Sequence, residues 1–290
     1  MLYQNYETEI SQEHLNAVFA QMKEPVCLLG GWAVYLTVNQ QFNRTHGRNY
    51  LGSRDIDLGF HVDPTWSTKE LESSALAQSV KILKDRGFVG LGSRFVKYYD
   101  INTKKELTEE QTKKIQSYDM FQLYVDPMSD NLHAEAQKIV GFPLLDESLL
   151  SQVFVNEKFT VLSEFGGKFK LPTPEVLIAA KLKSAPNRPK DEKRIKDISD
   201  IYALAWHSGV DFKDLRKNVQ KISGIQKIHD TVSGFTASEN KIWTITRNNI
   251  FQNAKLGPDF KMQVSNLEGS NEKILEVFYK DAKTPCMSIS

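Results

Sequence analysis

The sequence predicts an α/β protein of the α+β type, in which a domain with a mixed sheet precedes a helical C-terminal domain. Two observations lead to this fold class. Apolar residues follow helical and strand periodicities in turn up to about residue 165. From residue 171 onward the helical period predominates. We therefore predict two domains, at residues 1–170 and 171–290.

The N-terminal domain alternates helices with short strands. Its predicted elements are helices at 9–22, 32–40 and 68–86, and strands at 26–29, 55–62, 93–101 and 118–126. The polar tract NTKKELTEEQTKK joins the last two strands, and its composition predicts a solvated hairpin excursion.

The C-terminal domain opens with a well-marked helix. Thr173 is a suitable N-cap and Pro174 suits the first helical position, and the pattern runs to a break at Pro186. A second helix is predicted at 190–207, closed by Gly209. Helical periodicity with polar breaks continues to about residue 280.

Composition excludes several classes of protein. The chain has 37 Lys and Arg residues against 36 Asp and Glu, so it is not a polycation, and any contact with phosphates must be local. Cys27 lies in an apolar run and is far from Cys286, which suits a buried thiol in a reducing compartment. No signal peptide or membrane span is recognisable. We therefore expect a cytoplasmic protein without membrane contact.

Two aspartates stand one residue apart in the predicted strand SRDIDLGF. Side chains alternate along a strand, so Asp55 and Asp57 share one face while Ile56 and Leu58 point to the core. Two carboxylates held so close repel one another unless a cation lies between them, and hard oxygen ligands suit Mg²⁺ or Mn²⁺. The pair therefore predicts a metal site, and such a metal commonly accompanies a phosphate.

Two adjacent glycines, Gly30 and Gly31, lie between a buried strand and the start of a helix. Without a Cβ they permit the close approach of a ligand, and the N–H groups of a helix start attract an anion. Either feature alone has a plainer interpretation, since Gly-Gly is often a tight turn and Asp-x-Asp is common on surfaces. Their succession is more specific and favours a triphosphate site.

The two motifs together resemble a known superfamily. Gly30-Gly31 followed by Ser53-Arg54-Asp55-Ile56-Asp57-Leu58 resembles the signature of the DNA polymerase β-like nucleotidyltransferases. Residues 171–204, LPTPEVLIAAKLKSAPNRPKDEKRIKDISDIYAL, resemble the second conserved block of the abortive-infection (AbiEii-type) nucleotidyltransferase toxins. In that block a Lys-Leu helix precedes a Lys-Asp-x-x-Asp-Ile helix. The resemblance covers roughly residues 20–207.

The resemblance implies a metal-dependent transfer of a nucleoside monophosphate from an NTP to an acceptor hydroxyl, with release of pyrophosphate. It implies that Gly30, Gly31 and Ser53 contact the nucleotide and that Asp55 and Asp57 hold Mg²⁺ or Mn²⁺. The nucleotide site is then expected in a cleft between the two domains. Positioning and charge neutralisation would supply most of the catalysis.

The superfamily also uses a third carboxylate from a neighbouring strand. In MFQLYVDP the residue Asp126 falls on the polar face, and Pro127 is expected to stop the strand just after it. We predict Asp126 as the third metal ligand; the alternative is an aspartate that begins a turn before proline. Asp119 falls on the apolar face of this strand, and Asp130 lies beyond the expected end of the strand at Pro127. Both are therefore weaker candidates for the third metal ligand.

Lys181 lies at the edge of the apolar stripe of its predicted helix. It either snorkels from the core edge or reaches the site, and the resemblance gives the matching lysine a contact with the triphosphate. The resemblance also implies a catalytic role for Asp200 and nucleotide binding for Asp197. The alternative for these aspartates is a surface network with the basic residues that precede them, Lys193, Arg194 and Lys196.

One departure from the superfamily concerns the interval between the glycines and Asp55. The usual interval is about a dozen residues, whereas 23 residues stand here, including the extra segment 39–53. A tolerated surface loop is one interpretation. The other is a flap over the triphosphate that carries Arg44, His46 and Arg48.

The acceptor is less directly indicated. Residues 183–196 hold six basic and two acidic side chains, which suits either a solvated face or an RNA backbone. Together with the resemblance to toxins, this favours a tRNA 3′ end as acceptor and an antitoxin protein as a further partner. The alternatives are a small-molecule nucleotidyltransferase of the aminoglycoside-modifying type and a catalytically inactive nucleotide-binding module.

Overall fold

The computed structural model describes residues 5–47, 49–185, 188 and 191–222, and the chain divides into two compact units. The sheet unit comprises Tyr3–Tyr35 and Leu51–Thr173, and the helical unit comprises Leu36–Tyr50 together with the chain from Pro174. The predicted boundary at residue 170 lies close to this division. The two divisions differ in segment 36–50, which the prediction assigns to the N-terminal domain and the structure assigns to the helical unit.

The sheet unit contains one mixed sheet, as the sequence predicts. In the described part of the chain its strands are β1 (Cys27–Leu28), β2 (Ile56–Phe60), β3 (Val89–Leu91), β4 (Arg94–Asp100), β5 (Met120–Ser129), β6 (Leu145–Asp146), β7 (Phe159–Glu164) and β8 (Gly167–Pro172). Their order is β3-β4-β5-β2-β1-β8-β7, with β6 beside β5. The pairs β2/β5, β1/β8 and β5/β6 are parallel, and the remaining neighbours are antiparallel. The α/β class is confirmed.

Helices precede, separate and follow these strands. They are α1 (Asn5–Phe19), α2 (Gly30–His46), α3 (Thr68–Ser73), α4 (Ala75–Asp85), α5 (Glu109–Thr112), α6 (Ala134–Val140), α7 (Leu150–Phe154), α8 (Pro174–Ser184), α9 (Asp191–His207) and α10 (Phe212–Lys221). Among the residues whose placement is described, no helix has the length and apolarity needed to cross a bilayer. The helical pattern predicted beyond residue 222 lies outside the described residues.

Each unit has its own apolar core. In the sheet unit the apolar residues of β2, Ile56, Leu58 and Phe60, are all buried, as the alternation of the strand predicts. Large aromatic side chains fill the space around them, and those buried most fully are Phe19, Trp32, Phe95, Phe121 and Phe169. The core of the helical unit is formed by buried side chains from four segments, which include Phe42, Ile178, Ile201, Leu204 and Val219.

The single helix predicted at 68–86 consists of two helices. Ser74 ends α3 and begins α4, where its hydroxyl oxygen accepts a hydrogen bond from the N–H of Ala77 at 3.2 Å. Ser67 caps α3 through a capping box with Glu70. A serine inside a helical pattern can therefore divide the helix, because its side chain competes for backbone N–H groups. The predicted start at residue 68 and the end before Gly87 agree with the structure.

The predicted stop at Pro127 is wrong, because β5 continues to Ser129. Pairing with β4 ends at Val125, where Phe95 is the partner, and pairing with β6 begins at Met128. Pro127 thus lies between the part of β5 that pairs with β4 and the part that pairs with β6. A proline is tolerated there because its missing N–H removes no hydrogen bond to either strand. Asp126 consequently lies inside a strand instead of starting a turn.

The segment 39–53 is not a surface loop over most of its length. Helix α2 continues through it to His46, because no proline or glycine interrupts the pattern before Gly47, whose φ of +68° ends the helix. Phe42 is fully buried and its ring contacts those of Tyr50 and His207, at centroid distances of 5.0 Å and 5.2 Å. Residues 39–50 therefore belong to the helical unit, and Phe42 and Tyr50 lie in its core.

The flap predicted on this segment finds no support in that packing. Arg44 is exposed on the helix surface. Arg48 and the side chain of His46 lie outside the described residues.

Candidate active site

Two carboxylates stand side by side on neighbouring strands, and a third precedes one of these strands. Asp57 of β2 is the register partner of Asp126 of β5, and parallel neighbours lie about 4.8 Å apart. The predicted strand 55–62 is shorter in the structure, since β2 spans Ile56–Phe60; Asp55 lies in a bend just before it, and strand alternation does not fix the direction of its side chain. Burial raises the pKa of Tyr124, Arg94 lowers it, and Tyr98, Asp55 and Asp126 add to the rise. Asp55 and Asp126 are therefore close to one tyrosine.

The glycines lie directly against this carboxylate group. Gly30 has a φ of +61°, and a Cβ at that position would lie 1.8 Å from Oδ2 of Asp57. A Cβ on Gly31 would lie 2.9 Å from Oγ of Ser53. The backbone N–H of Leu29 donates to the carbonyl oxygen of Asp57 at 2.9 Å. Glycine is thus required here because Asp57 and Ser53 pack against the start of α2, whose dipole favours a carboxylate.

Arg94 is a member of this group that the sequence does not reveal. Its Nη2 donates to Oδ2 of Asp126 at 3.1 Å, and its guanidinium lies 4.5 Å from the ring centroid of Tyr124. The arginine side chain is 30% exposed, whereas that of Asp126 is 8% exposed. Arg94 begins a predicted strand, so its position opposite Asp126 follows only once the antiparallel register of β4 and β5 is known.

The donor set of this group is of the type that divalent ions prefer. Carboxylate oxygens are the ligands that Mg²⁺ and Mn²⁺ prefer, and Asp57 and Asp126 stand side by side. Within the described ranges, no group of three or more His, Cys, Asp or Glu side chains is placed to hold a metal ion. Asp126 contacts Arg94, and Asp57 lies against Gly30. The donor type and the register of Asp57 and Asp126 suit such an ion, but the side chains of Asp55, Asp57 and Asp126 are not arranged around a common ion position in this structure.

The helical unit holds a second group of predicted site residues. Nζ of Lys181 lies 2.7 Å from Oδ1 of Asp197 and 2.8 Å from Oδ2 of Asp200. Both carboxylates are almost fully buried and the lysine side chain is 11% exposed. Burial alone would lower the pKa of Lys181, but the two aspartates outweigh it and hold the pKa above its ordinary value. The structure therefore brings these three predicted residues together.

Further side chains complete this buried network. The hydroxyl of Tyr50 donates to Oδ1 of Asp200 at 2.8 Å, and Lys196 contacts the same oxygen. Nε of Arg188 donates to Oδ2 of Asp197 at 2.7 Å. Burial acts against the charge on Asp197, but Lys181 and Arg188 lower its pKa to about 2.

The alternative of a surface network is thus wrong in one respect, since these aspartates are buried. Within the basic segment 183–196, Arg188 and Lys196 are engaged by the aspartates, while Lys183 and Lys193 are exposed. Lys190 and the side chain of Arg194 lie outside the described residues.

We expect Gly30→Ala to destabilise the protein more than Gly92→Ala does. Both glycines have φ above +60°, so each substitution costs about 1–2 kcal/mol in backbone conformation. Only Gly30 would also clash with a side chain, because nothing lies within 4 Å of a Cβ at Gly92. Displacing Asp57 should cost a further 1–3 kcal/mol, roughly. Denaturant unfolding of both variants measures the difference, and equal losses would contradict the close packing of Asp57.

Lys181→Ala should lower the free energy of unfolding by about 3–5 kcal/mol, because it leaves two buried carboxylates without their shared cation. The matched control is Lys183→Ala on the same helix, whose exposed side chain should change stability by less than about 0.5 kcal/mol. Thermal and urea unfolding compare the two variants. Equal stability of the two variants would show that the network contributes little to the fold.

Comparisons with known proteins add a distant likeness to a solved structure. No model of a known protein family matches the chain, and no curated protein matches it. Among solved structures, the crystal structure of an antigenic nucleotidyltransferase-like protein from Paracoccidioides brasiliensis is similar, with 17% identity and a TM-score of 0.35 over 80% of this chain and 93% of that chain. The resemblance to the abortive-infection toxins therefore stays a prediction from the residues.

Proposed function

We propose that the protein is a metal-dependent nucleotidyltransferase, which moves a nucleoside monophosphate from an NTP to an acceptor hydroxyl. The acceptor oxygen bonds to the α-phosphorus, the bond to the β-phosphate oxygen breaks, and pyrophosphate leaves. One observation carries the proposal: Asp57 and Asp126 are register partners, and Asp57 packs directly against the glycine that begins a helix. This supports a carboxylate group and an anion-binding helix start within one site.

The carboxylate group has a defined role in this reaction. Asp55, Asp57 and Asp126 would hold Mg²⁺ or Mn²⁺ through hard oxygen ligands. A bound ion of this kind neutralises charge on the triphosphate and favours ionisation of the acceptor hydroxyl. The backbone N–H groups of Gly30 and Gly31 and the hydroxyl of Ser53 would donate hydrogen bonds to phosphate oxygens at the start of α2.

Lys181 is proposed to bind the triphosphate, with Asp197 and Asp200 as the groups that orient it. An ammonium has three N–H donors, and the two carboxylates lie at distances that take two of them. The third donor would serve a phosphate oxygen. The buried aspartates also keep the lysine protonated, because they hold its pKa above the ordinary value.

For the acceptor we propose the 3′ end of a tRNA, in a toxin that an antitoxin protein neutralises. The resemblance of residues 171–204 motivates this, and the exposed Lys183 and Lys193 supply cations for an RNA backbone. Arg188, which lies in the same basic segment, is less suited to contact the RNA backbone, because its Nε donates a hydrogen bond to Asp197.

Asp57→Asn should lower nucleotide transfer roughly a hundredfold to a thousandfold while the fold persists, because asparagine keeps the shape and removes the charge. Asp85→Asn, an exposed aspartate on α4, is the control and should transfer normally. The assay incubates each variant with labelled NTPs, Mg²⁺ and total RNA and separates the products on a gel. Full activity of Asp57→Asn would refute the transferase. Label on a protein or an aminoglycoside, with none on tRNA, would refute only the acceptor.

A nucleotide-binding protein without transfer is the second candidate function. The ion pair between Arg94 and Asp126 favours it, because the guanidinium occupies an oxygen that a metal would use. Under the transferase proposal, arginine and metal compete for Asp126.

Arg94→Gln should therefore tighten Mn²⁺ binding by about five- to tenfold, since it removes a cation worth about 1 kcal/mol at this half-exposed position. Electron paramagnetic resonance of free Mn²⁺ measures the affinity. Lys138→Gln, which removes an exposed paired cation on α6, is the control and should leave it unchanged. If neither the wild type nor Arg94→Gln binds Mn²⁺ while NTP still binds, the second candidate replaces the first.

A further inference from the structure

A row of aromatic and basic side chains lies at the opposite end of β2 from the carboxylates. We name it the aromatic row, and its members are Trp66, His61, Phe154, Lys170 and Phe159. His61 follows β2 directly, four residues beyond Asp57, which places it about 13 Å further along the strand. The aromatic row is therefore distinct from the proposed nucleotide site.

The members of the aromatic row contact one another in sequence. The ring centroid of His61 lies 5.6 Å from that of Trp66 and 5.8 Å from that of Phe154. Nζ of Lys170 lies 5.9 Å from the centroid of Phe154 and 3.3 Å from that of Phe159. All five side chains are half-buried, so each keeps part of its surface in solvent. The aromatic row is thus continuous and accessible.

His61 is held in a fixed orientation. Its Nδ1 lies 2.5 Å from Oδ2 of Asp130, the residue that follows β5. The Asp130 side chain is 2% exposed, and its Oδ1 accepts a hydrogen bond from the N–H of Val62 at 2.9 Å. A buried carboxylate on Nδ1 directs that ring nitrogen inward and leaves Nε2 for a ligand. The imidazole is 33% exposed.

The charge around the aromatic row favours a polyanion. Lys168 and Lys170 share one face of β8, and Lys168 is exposed. Two acidic side chains at the His61 end of the aromatic row are already engaged, since Asp130 bonds to His61 and Asp63 accepts from the backbone N–H and hydroxyl of Thr65. Exposed positive charge therefore remains on the lysines.

We propose that the aromatic row is a stacking platform for single-stranded nucleic acid. Unpaired bases stack on tryptophan, phenylalanine and histidine rings, and lysines between the rings attract the phosphates. Nε2 of His61 would contact the edge of a base. A protein partner is disfavoured, because lysine is depleted in protein interfaces whereas Lys170 lies in the middle of this row. The platform does not depend on the transfer reaction.

The test measures binding of fluorescein-labelled oligouridylate and oligothymidylate by anisotropy, in EDTA and without NTP. Trp66→Ala and Phe154→Ala should each weaken binding by about fivefold to a hundredfold, as loss of one base stack does. Tyr118→Ala removes an exposed aromatic ring, 76% accessible, outside the aromatic row and should change nothing. Tighter binding of the RNA would assign the ligand as RNA, and tighter binding of the DNA would assign single-stranded DNA.

Two further variants separate stacking and charge from damage to the fold. Trp66→Phe keeps a stacking ring, so affinity should fall by less than in Trp66→Ala, and both variants should keep the wild-type melting temperature within a few degrees. Lys170→Gln should reduce the slope of log affinity against log salt by about 0.7, the value for one phosphate of a single strand. The matched control, Lys113→Gln just after α5, should leave that slope unchanged.

Three results would overturn the platform. The first is no binding of either oligonucleotide by the wild type. The second is an equal loss of affinity in Tyr118→Ala. The third is self-association of the protein that the substitution Val161→Lys abolishes. Val161 is 55% exposed and lies beside Lys170, so this result would show that the surface is a protein interface.

Discussion

The parallel pairing of β2 with β5 fixes the geometry on which both ends of the sheet unit depend. Because Asp57 is opposite Asp126, the two carboxylates stand side by side at one end of the pair. The same register brings His61 and Asp130 together at the other end, where each residue directly follows its strand. A shift by one residue would turn every one of these side chains to the other face and expose the apolar residues of β2.

Structural features that depend on a few neighbouring residues were predicted well from the sequence. The alternation of β2 identifies its buried residues, and Pro174 marks the start of α8 as predicted. The predicted N-cap role of Thr173 is wrong, because its hydroxyl makes no hydrogen bond with the described residues. Predictions failed where a distant partner decides the outcome. The strand β5 continues through Pro127 because its neighbour changes from β4 to β6 at this point. Helix α2 extends beyond its predicted end because Phe42 packs in the core of the helical unit. No local pattern contains that information.

The candidate site divides in the same way. Parity predicts Asp55 and Asp57 on one face and identifies Asp126, and the glycines are predicted to allow a close approach. Arg94 was missed because its contact with Asp126 requires the register between two strands that are distant in sequence. The burial of Asp197 and Asp200 was missed because two lysines compensate them, and a sequence does not tell a compensated buried charge from a solvated one.

The extra segment between the glycines and the first aspartate has a consequence for how this kind of chain can evolve. Deleting it would remove Phe42 and Tyr50, of which one contacts His207 and the other donates a hydrogen bond to Asp200. A relative with the shorter interval must fill that space and satisfy that carboxylate by other means. The length of this segment is therefore coupled to the residues at positions 200 and 207, so the segment cannot be shortened without changes in α9.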